Sequence, residues 1–327
     1  MKSIDIIIPN YNYACYLRHC VSSVLSQSSI RMRVLIIDNA SSDGSQQVAR
    51  DLAALDSRVE LLLREKNLGP HKSFNDGIDW AQSDYFIILC SDDYLAPGAL
   101  EYAVDLMEAH PEVHLTYGAS RFLGTEEVLE SRCSLECPRW TIKDGPTFLR
   151  DICRIGRNII SGPTAIVRTS VQKQVGHYNP KLIHTDDLEM WLRFALQGSI
   201  ATTDAVQAVA RVHPSNQSAT VGDLCQWSME FEAAYRSFFN GAGADLDNAE
   251  DLLRLARRAL SDRAYWSAIS LLCRGERGWR DLLVHAVRLR PAAALVPPVS
   301  YLVHRPDASS LIKASLSALT RRIAKTA

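Results

Sequence analysis

Residues 84–93 read DYFIILCSDD, an apolar run that ends in two adjacent carboxylates. The run Tyr85–Leu89 lacks polar alternation, which is typical of a strand buried on both faces of a parallel sheet. Mostly apolar runs, each with one charged residue, precede it at Ile4–Ile8, Met32–Ile37 and Val59–Leu63, and each is followed by a helix signal. Strands and helices that alternate in this way form right-handed crossovers around a mostly parallel sheet. The sequence therefore predicts an α/β fold.

The last third of the chain has a different pattern. After Gly222 only helical periodicity is found, and it predicts helices over Cys225–Phe239, Asn248–Leu260, Arg263–Leu272, Trp279–Arg288 and Leu311–Ile323. We therefore predict two domains: a sheet-containing domain over residues 1–221 and a helical C-terminal region over residues 222–327.

The overall charge argues against a nucleic-acid-binding protein, because 36 Lys and Arg face 37 Asp and Glu in 327 residues. The charge is uneven, however, since the segment from Leu252 to Ala327 has 14 basic and 4 acidic residues. Arginines interleaved with leucine, valine and tryptophan predict a basic, partly apolar helical surface. Such a surface can dock on anionic lipid, face solvent, or form a homodimer interface, and the sequence leaves these alternatives open.

The sequence predicts a cytoplasmic protein. Residues 1–8 resemble the start of a strand rather than a signal peptide, and the apolar runs are shorter than the ~20 residues of a membrane span. The eight cysteines are then expected to be reduced. Cys133 and Cys137 have the spacing of half a zinc site, but no second Cys/His pair follows, so small apolar roles are favoured.

Carboxylates lie at the ends of two of the predicted strands. Asp92 and Asp93 end the fourth strand, where adjacent carboxylates repel each other unless a cation lies beside them, and Mg²⁺ or Mn²⁺ prefers such oxygens together with phosphate oxygens. An exposed turn that caps the helix after Pro97 is the alternative. Asp38 ends the second strand, where it can accept a hydrogen bond from a pyrimidine N3–H while Tyr11 stacks on the ring, or can cap the next helix.

A second acidic pair, Asp186-Asp187, begins the predicted helix that contains Trp191. Acidic residues at a helix N-terminus interact favourably with the helix dipole, which is sufficient to explain the pair. A functional role for the pair is the alternative.

Taken in order, these motifs resemble those of the family 2 glycosyltransferases, the inverting enzymes with a GT-A fold. The resemblance covers roughly residues 3–220 and rests on IIIPNYN (6–12), IIDNASSDGS (36–45), NLG (67–69), NDG (75–77), DYFIILCSDD (84–93), Gly162–Arg168, VGHY (175–178), DDLEMWLR (186–193), and RVH (211–213) with Asn216 and Ser218. Each motif is weak alone, but their shared order is specific.

The resemblance implies a role for each matching residue. Pro9, Tyr11 and Asp38 are expected to hold the base, Asn67 and Asp92 to contact the nucleotide sugar with Asp92 at the ribose, and Asp93 to bind Mn²⁺ or Mg²⁺ on the diphosphate. Asp187 is expected to be the catalytic base. Arg211 and His213 are expected to close over the diphosphate or the acceptor side.

Two residues depart from the family pattern. Cys90 stands where the family often has a further aspartate, and a thiol is a poor ligand for a hard cation, so metal affinity is expected to be lower. Asp186 stands where glutamate is usual, which leaves the expected base, Asp187, unchanged.

The implied reaction is inverting sugar transfer from a nucleoside-diphosphate sugar, with UDP or dTDP favoured, to a hydroxyl of a saccharide or lipid-linked acceptor. Family membership suggests cell-surface polysaccharide or glycoconjugate synthesis, at the inner face of the membrane if the basic region docks there. The alternatives are a nucleotide-sugar-binding protein without catalysis and a nucleotidyltransferase. The second normally has a Gly-rich basic loop after its first strand, which Pro9–Tyr13 lacks.

Overall fold

A nine-stranded sheet forms the centre of the first part of the chain. The computed structural model describes residues 2–27, 29–124, 138–216 and 221–303. Within them the strands are β1 (Ser3–Asn10), β2 (Arg31–Asp38), β3 (Val59–Leu63), β4 (Tyr85–Ile88), β5 (Tyr94–Leu95), β6 (Val113–Gly124), β7 (Trp140–Lys143), β8 (Ile166–Arg168) and β9 (Ser199–Val212). Their order is β3-β2-β1-β4-β8-β6-β9-β5, with β7 beside β9.

Helices connect these strands and continue after them. They are α1 (Ala14–Leu25), α2 (Ser45–Leu55), α3 (Pro70–Trp80), α4 (Ala99–Ala109), α5 (Gly145–Ile155), α6 (Thr169–Val175), α7 (Asp186–Ala195), α8 (Leu224–Asn240), α9 (Ala249–Arg274), α10 (Trp279–Leu289) and α11 (Val299–Val303). Single 3-10 turns lie at Gly162–Thr164 and Pro291–Ala294.

Most of the paired positions in the sheet are parallel. β1 pairs in parallel with β2 and β4, β2 with β3, and β6 with β9, whereas the antiparallel pairs of β4 and β6 with β8 are only two residues long. The predicted α/β fold with a mostly parallel sheet and a helical C-terminal region is therefore confirmed. β5, β7 and α6 have only two to seven residues, which are too few for a clear periodicity in the sequence.

The register places three strand ends at one edge of the sheet. Asn10 of β1 lies opposite Asp38 of β2, and Pro9 lies opposite Ile37. The Ser91 amide, just after β4, donates to the Pro9 carbonyl at 3.3 Å. The segments that follow β1, β2 and β4 therefore meet at this edge, where open α/β sheets bind their ligands.

The helix α3 packs closely on β1 at Gly77. A Cβ built on Gly77 would lie 2.6 Å from Cγ2 of Ile7, closer than carbon atoms pack. Glycine normally destabilises a helix interior, so its position here is explained by the close approach of helix and strand.

Asp5 is a charged residue in the otherwise apolar β1 and has no exposed surface. Its carboxylate accepts hydrogen bonds from the Arg33 guanidinium at 2.8 and 3.0 Å and from the amides of Gln82 and Ser83 at 2.6 and 2.8 Å. Burial alone would raise the pKa of Asp5, but these hydrogen bonds outweigh it and hold the pKa below its ordinary value. The Asp5 carboxylate thus anchors the segment that connects α3 to β4 to the first strand of the sheet.

The described chain divides into two compact units. The first comprises Met1–Phe148, Ile159–Lys181 and Asp186–Asn216, and the second comprises Leu149–Asn158, Leu182–Thr185 and the chain after Asn216. The predicted division between residues 221 and 222 stays a prediction. Inside the second unit, α9 and α10 pack through Ala264, Ala268, Leu282 and Ala286, which form a small apolar core.

One predicted boundary in this second unit is wrong. The helices expected over Asn248–Leu260 and Arg263–Leu272 are the single helix α9. The helix continues through the polar residues Ser261 and Asp262 because both side chains have partners. The Ser261 hydroxyl donates to the Ala286 carbonyl at 2.7 Å, and the Asp262 carboxylate accepts from Arg290 at 3.0 Å.

Some sequence predictions lie outside the described residues. These are the terminal helix over Leu311–Ile323, the pair Cys133 and Cys137, and Ser218 of the last motif. In the part of the chain that is described, none of the helices combines the length and apolar character needed to cross a membrane.

Candidate active site

Asp92 and Asp93 are buried at the edge of the sheet where the strand ends meet. They are 6% and 8% exposed, in a turn closed by a hydrogen bond from the Asp93 amide to the Cys90 carbonyl at 2.9 Å. Neither residue caps α4, whose N-cap is Gly98. The interpretation of this pair as an exposed, helix-capping turn is therefore wrong.

The end of β9 lies over the aspartate pair. The Arg211 amide donates to Oδ1 of Asp93 at 3.1 Å, and Nε2 of His213 lies 3.3 Å from Oδ2 of Asp92. Nδ2 of Asn216 donates to the same Asp92 oxygen at 3.1 Å. Arg211 and His213, singled out from the sequence, are thus brought directly onto Asp92 and Asp93.

Electrostatics at the pair favour a cation. Burial, followed by the charge of Asp92, raises the pKa of Asp93, and burial likewise raises the pKa of Asp92. Both shifts favour protonation, because two adjacent ionised carboxylates repel each other in a buried site, and a bound cation would relieve the same repulsion. Their oxygens suit a hard divalent cation, whereas the neighbouring Cys90 sulfur does not.

The carboxylates cannot form a complete metal site alone. Across the ranges that the structure describes, no cluster of three or more His, Cys, Asp and Glu side chains is arranged to hold an ion. A cation at Asp92 and Asp93 would therefore take further oxygens from a bound diphosphate and water, as Mg²⁺ commonly does.

An aromatic stack that the sequence did not reveal holds Arg211. The guanidinium carbon lies 4.9 Å from the ring centre of Tyr16 and 4.8 Å from that of Tyr94. A guanidinium nitrogen also lies 2.6 Å from Nδ1 of His19, whose own ring stacks on Tyr94. Because α1 supplies Tyr16 and His19, this helix fixes the last strand over the aspartates.

Asp38 organises the loop after β2. One carboxylate oxygen accepts from Nδ2 of Asn10 at 2.8 Å and the other from the Ser41 amide at 2.9 Å. Asp38 has no exposed surface, while Tyr11 is 46% exposed and Pro9 is half-buried. Asp38 does not cap α2, because Asp43 accepts the hydrogen bond from the Ser45 amide at 3.0 Å.

Asn67 belongs to a polar network around Arg64, a residue that sequence reasoning missed. Nδ2 of Asn39 donates to Oδ1 of Asn67 at 2.5 Å, and Oδ1 of Asn39 accepts from Arg64 at 2.9 Å. Arg64 also donates to Ser73 at 2.9 Å and Asp76 at 2.6 Å. The signal available in the sequence was a lone arginine directly after the third strand.

Three carboxylates at the start of α7 have different surroundings. Asp186 is buried and lies 3.3 Å from Nε2 of His71, and Glu189 is buried and held by Arg193 at 2.8 Å. Asp187 is half-buried, and its Oδ1 accepts from the Leu188 amide at 2.7 Å. Asp187 is therefore the carboxylate of this turn most accessible to a ligand.

The aspartates after β4 and those at the start of α7 raise the pKa of neighbouring side chains. Burial, then the charges of Asp92 and Asp93 and more weakly that of Asp186, raises the pKa of the Cys90 thiol. Burial and the charges of Asp186 and Asp187 raise the pKa of Tyr178, to which Cys90 also contributes. Cys90 thus lies within electrostatic range of Asp92, Asp93 and Asp186, and Tyr178 within range of Asp186 and Asp187.

Three solved structures have similar folds, and two of them are in complex with a nucleotide sugar. The S. aureus TarS 1–349 structure is 18% identical with a TM-score of 0.62, and the match covers 98% of this chain and 89% of TarS 1–349. Its complex with UDP-GlcNAc is 16% identical with a TM-score of 0.58, covering 90% and 92%. The mannosyltransferase PcManGT from Pyrobaculum calidifontis, in complex with GDP-Man and Mn²⁺, is 18% identical with a TM-score of 0.60, covering 97% and 83%.

These likenesses define the fold class as GT-A. The sequence comparison then gives the family: the profile described as "Glycosyl transferase family 2" matches residues 5–176, and the chain belongs to this family. An uncharacterized glycosyltransferase of Haemophilus influenzae is 36% identical over 126 residues, which are 38% of this chain and 50% of that protein. The chain thus matches half the length of that relative. The prediction that the chain belongs to the family 2 glycosyltransferases is therefore confirmed.

Proposed function

We propose that the chain is an inverting glycosyltransferase that moves a sugar from a nucleoside diphosphate to an acceptor hydroxyl. The observation that carries this proposal is the buried pair Asp92 and Asp93 under Arg211 and His213, whose adjacent carboxylates would be stabilised by a bound cation. Family membership and the nucleotide-sugar complexes of TarS and PcManGT support it.

UDP or dTDP is the donor nucleotide that we favour. Asp38 and the exposed Tyr11 ring lie at adjacent strand ends, so that a pyrimidine can stack on Tyr11 and direct its N3–H toward Asp38. Asp38 is closed to solvent, and this contact therefore requires the loop around Ser41 to open. Asn67 and its partner Asn39 are proposed to contribute at the same edge, and Asp92 at the ribose.

Mn²⁺ or Mg²⁺ is the proposed cofactor, held by Asp93 beside Asp92. When bound, it offsets the negative charge that develops on the departing diphosphate. Arg211 is positively charged and is proposed to close over the same diphosphate together with His213. The leaving group then needs no proton, so a single carboxylate is sufficient for acid–base chemistry.

Asp187 is the proposed general base. An acceptor hydroxyl has a pKa far above neutrality, and a carboxylate within hydrogen-bond reach must take its proton as the oxygen attacks. Asp187 is half-buried, whereas Asp186 and Glu189 are buried, so Asp187 exposes more of its surface to an acceptor. Attack from the face opposite the diphosphate inverts the anomeric centre.

A direct test measures release of nucleoside diphosphate from UDP-GlcNAc and GDP-Man, with water as the acceptor and with Mn²⁺ or EDTA. Release that requires Mn²⁺ is expected for a pyrimidine donor. Nucleotide-sugar binding without release under any of these conditions, or with added saccharide acceptors, would instead favour a binding protein. Release of inorganic pyrophosphate from a nucleoside triphosphate would favour a nucleotidyltransferase.

The cellular role is proposed from the family alone. We infer a cytoplasmic enzyme that extends a cell-surface polysaccharide or glycoconjugate, using a saccharide or lipid-linked acceptor, with the basic C-terminal region as a contact to the inner membrane face or to a second copy of the chain. Co-sedimentation with anionic but not neutral liposomes at low salt tests the membrane contact. A dimer by light scattering without liposome binding would favour the second copy.

A further inference from the structure

A cavity in the second compact unit lies among arginines that the proposed transfer does not use. It has a volume of about 770 Å³ and is lined by the end of α5 and its following turn, one face of α9, and α11. Its arginines are Arg154, Arg157, Arg258 and Arg263, and its one acidic residue is Asp262. The walls also contain Ile155, Leu255 and Ala259, so the cavity is both basic and partly apolar.

Close packing forms this cluster. Gly156 has a φ of +64°, and a Cβ built there would lie 2.8 Å from Cβ of Ala259, so the turn after α5 lies directly on α9. Arg263 extends from α9 to donate to the Ile155 carbonyl at 2.7 Å at the C-terminal end of α5. This hydrogen bond satisfies a carbonyl at the end of α5. It also brings Arg263 close to Arg157.

The positive charges in the cavity exceed the negative ones. Asp262 is already paired with Arg290 at 3.0 Å and lies 3.9 Å from Arg258. Within the described ranges, neither Arg154 nor Arg157 forms a salt bridge or side-chain hydrogen bond. Burial, with a smaller effect of the Arg157 charge, lowers the pKa of the Arg263 guanidinium.

A neighbouring cavity provides an internal comparison. It has a volume of about 620 Å³ and shares Leu255 and Arg258 with the first. Its other arginines have carboxylate partners: Arg254 pairs with Asp251 at 2.7 Å, Arg257 with Glu232 at 3.8 Å, and Arg290 with Asp262. The two cavities therefore do not differ in the number of arginines that line them. They differ in the carboxylate partners, which Arg154 and Arg157 of the first cavity do not have among the described residues.

We propose that the cavity formed by α5, α9 and α11 binds a phosphate- or diphosphate-bearing ligand through Arg154, Arg157 and Arg258. Guanidinium groups bind phosphate oxygens with two parallel hydrogen bonds, and they need no metal to do so. The volume exceeds that of the anion, and Leu255 and Ile155 offer an apolar surface to the group attached to it. Such a ligand is either a soluble phosphate compound or a lipid headgroup, and the site is independent of the proposed transfer reaction.

The test uses the full-length protein in EDTA, so that diphosphate is not held by a cation at Asp93. Inorganic pyrophosphate is titrated calorimetrically, and liposomes of phosphatidylcholine with or without phosphatidic acid are tested for co-sedimentation. The variant is Arg154→Gln/Arg157→Gln, in which both side chains are exposed, so folding is retained. The matched control is Arg254→Gln on α9, which removes one charge beside the neighbouring cavity.

Removal of the two guanidinium groups is expected to weaken binding roughly tenfold for each. Loss of pyrophosphate binding in the double variant but not in Arg254→Gln supports a site for soluble phosphate compounds. The same pattern with phosphatidic acid liposomes alone supports a lipid headgroup. The proposal is overturned if neither probe binds the wild-type chain, or if Arg254→Gln weakens binding as much as the double variant.

Discussion

Replacing Asp187 by asparagine is expected to separate chemistry from donor binding. The amide keeps the size of the side chain and still accepts the hydrogen bond from the Leu188 amide, but it cannot take a proton. Loss of a general base lowers a rate by about 10²–10⁴-fold, which corresponds to about 3–5 kcal/mol of transition-state stabilisation. Loss of one negative charge in the first turn of α7 costs only about 0.3–1 kcal/mol of folding stability.

Glu189→Gln provides the matched control on the same helix turn. Glu189 is buried and accepts from Arg193 at 2.8 and 3.0 Å, and Arg193 also donates to the carbonyls of Val175 and His177. Neutralising Glu189 is therefore expected to lower the free energy of unfolding by about 1–3 kcal/mol while turnover changes only a few-fold. Asp186→Asn, which alters the contact with His71, is expected to behave in the same way.

The assay measures steady-state release of nucleoside diphosphate together with calorimetric donor affinity and urea unfolding for all three variants. For Asp187→Asn we expect a large fall in turnover, unchanged donor affinity and near-normal stability. The assignment would be refuted by an Asp187→Asn protein with turnover within a few-fold of wild type. A selective loss of turnover in Asp186→Asn or Glu189→Gln would move the base to that residue.

Three further predictions follow from the sheet and its edge. Asp93→Ala is expected to abolish the Mn²⁺ dependence of UDP binding without unfolding the protein; equal Mn²⁺ dependence in calorimetric titrations of both proteins would assign the ligand elsewhere. Asp5→Ala is expected to cost about 3 kcal/mol in urea unfolding, because Arg33 and two amides lose their acceptor. Since the pKa of Asp5 is lowered in the folded state, its stabilisation is present above about pH 4 and lost as the pH falls through the folded pKa; a wild-type stability advantage over Asp5→Ala that persists unchanged into that acid range would contradict this. Gly77→Ala is expected to destabilise by about 1–3 kcal/mol through contact with Ile7, and a rise in the melting temperature from better helix propensity would contradict the packing argument.

The sequence alone determined the strand–helix alternation of the first hundred residues. The strands β1 to β4 lie on the predicted apolar runs, because strands of a parallel sheet that is covered by helices are rich in Ile, Leu, Val and Phe. The same local reasoning found the carboxylates after β2 and β4 and at the start of α7. Such patterns are complete within about a dozen residues, so no distant contact is needed to recognise them.

Only the tertiary structure showed which of these residues meet, and how. Arg211 lies 118 positions from Asp93 in the chain, and its cage of Tyr16, Tyr94 and His19 has no local pattern. The continuity of α9 through Ser261 and Asp262 likewise depends on α10 and Arg290, which follow it in the chain. Burial, the resulting pKa shifts and the unmatched arginines of the second unit are set by what packs around a side chain, and that is decided when distant segments come together.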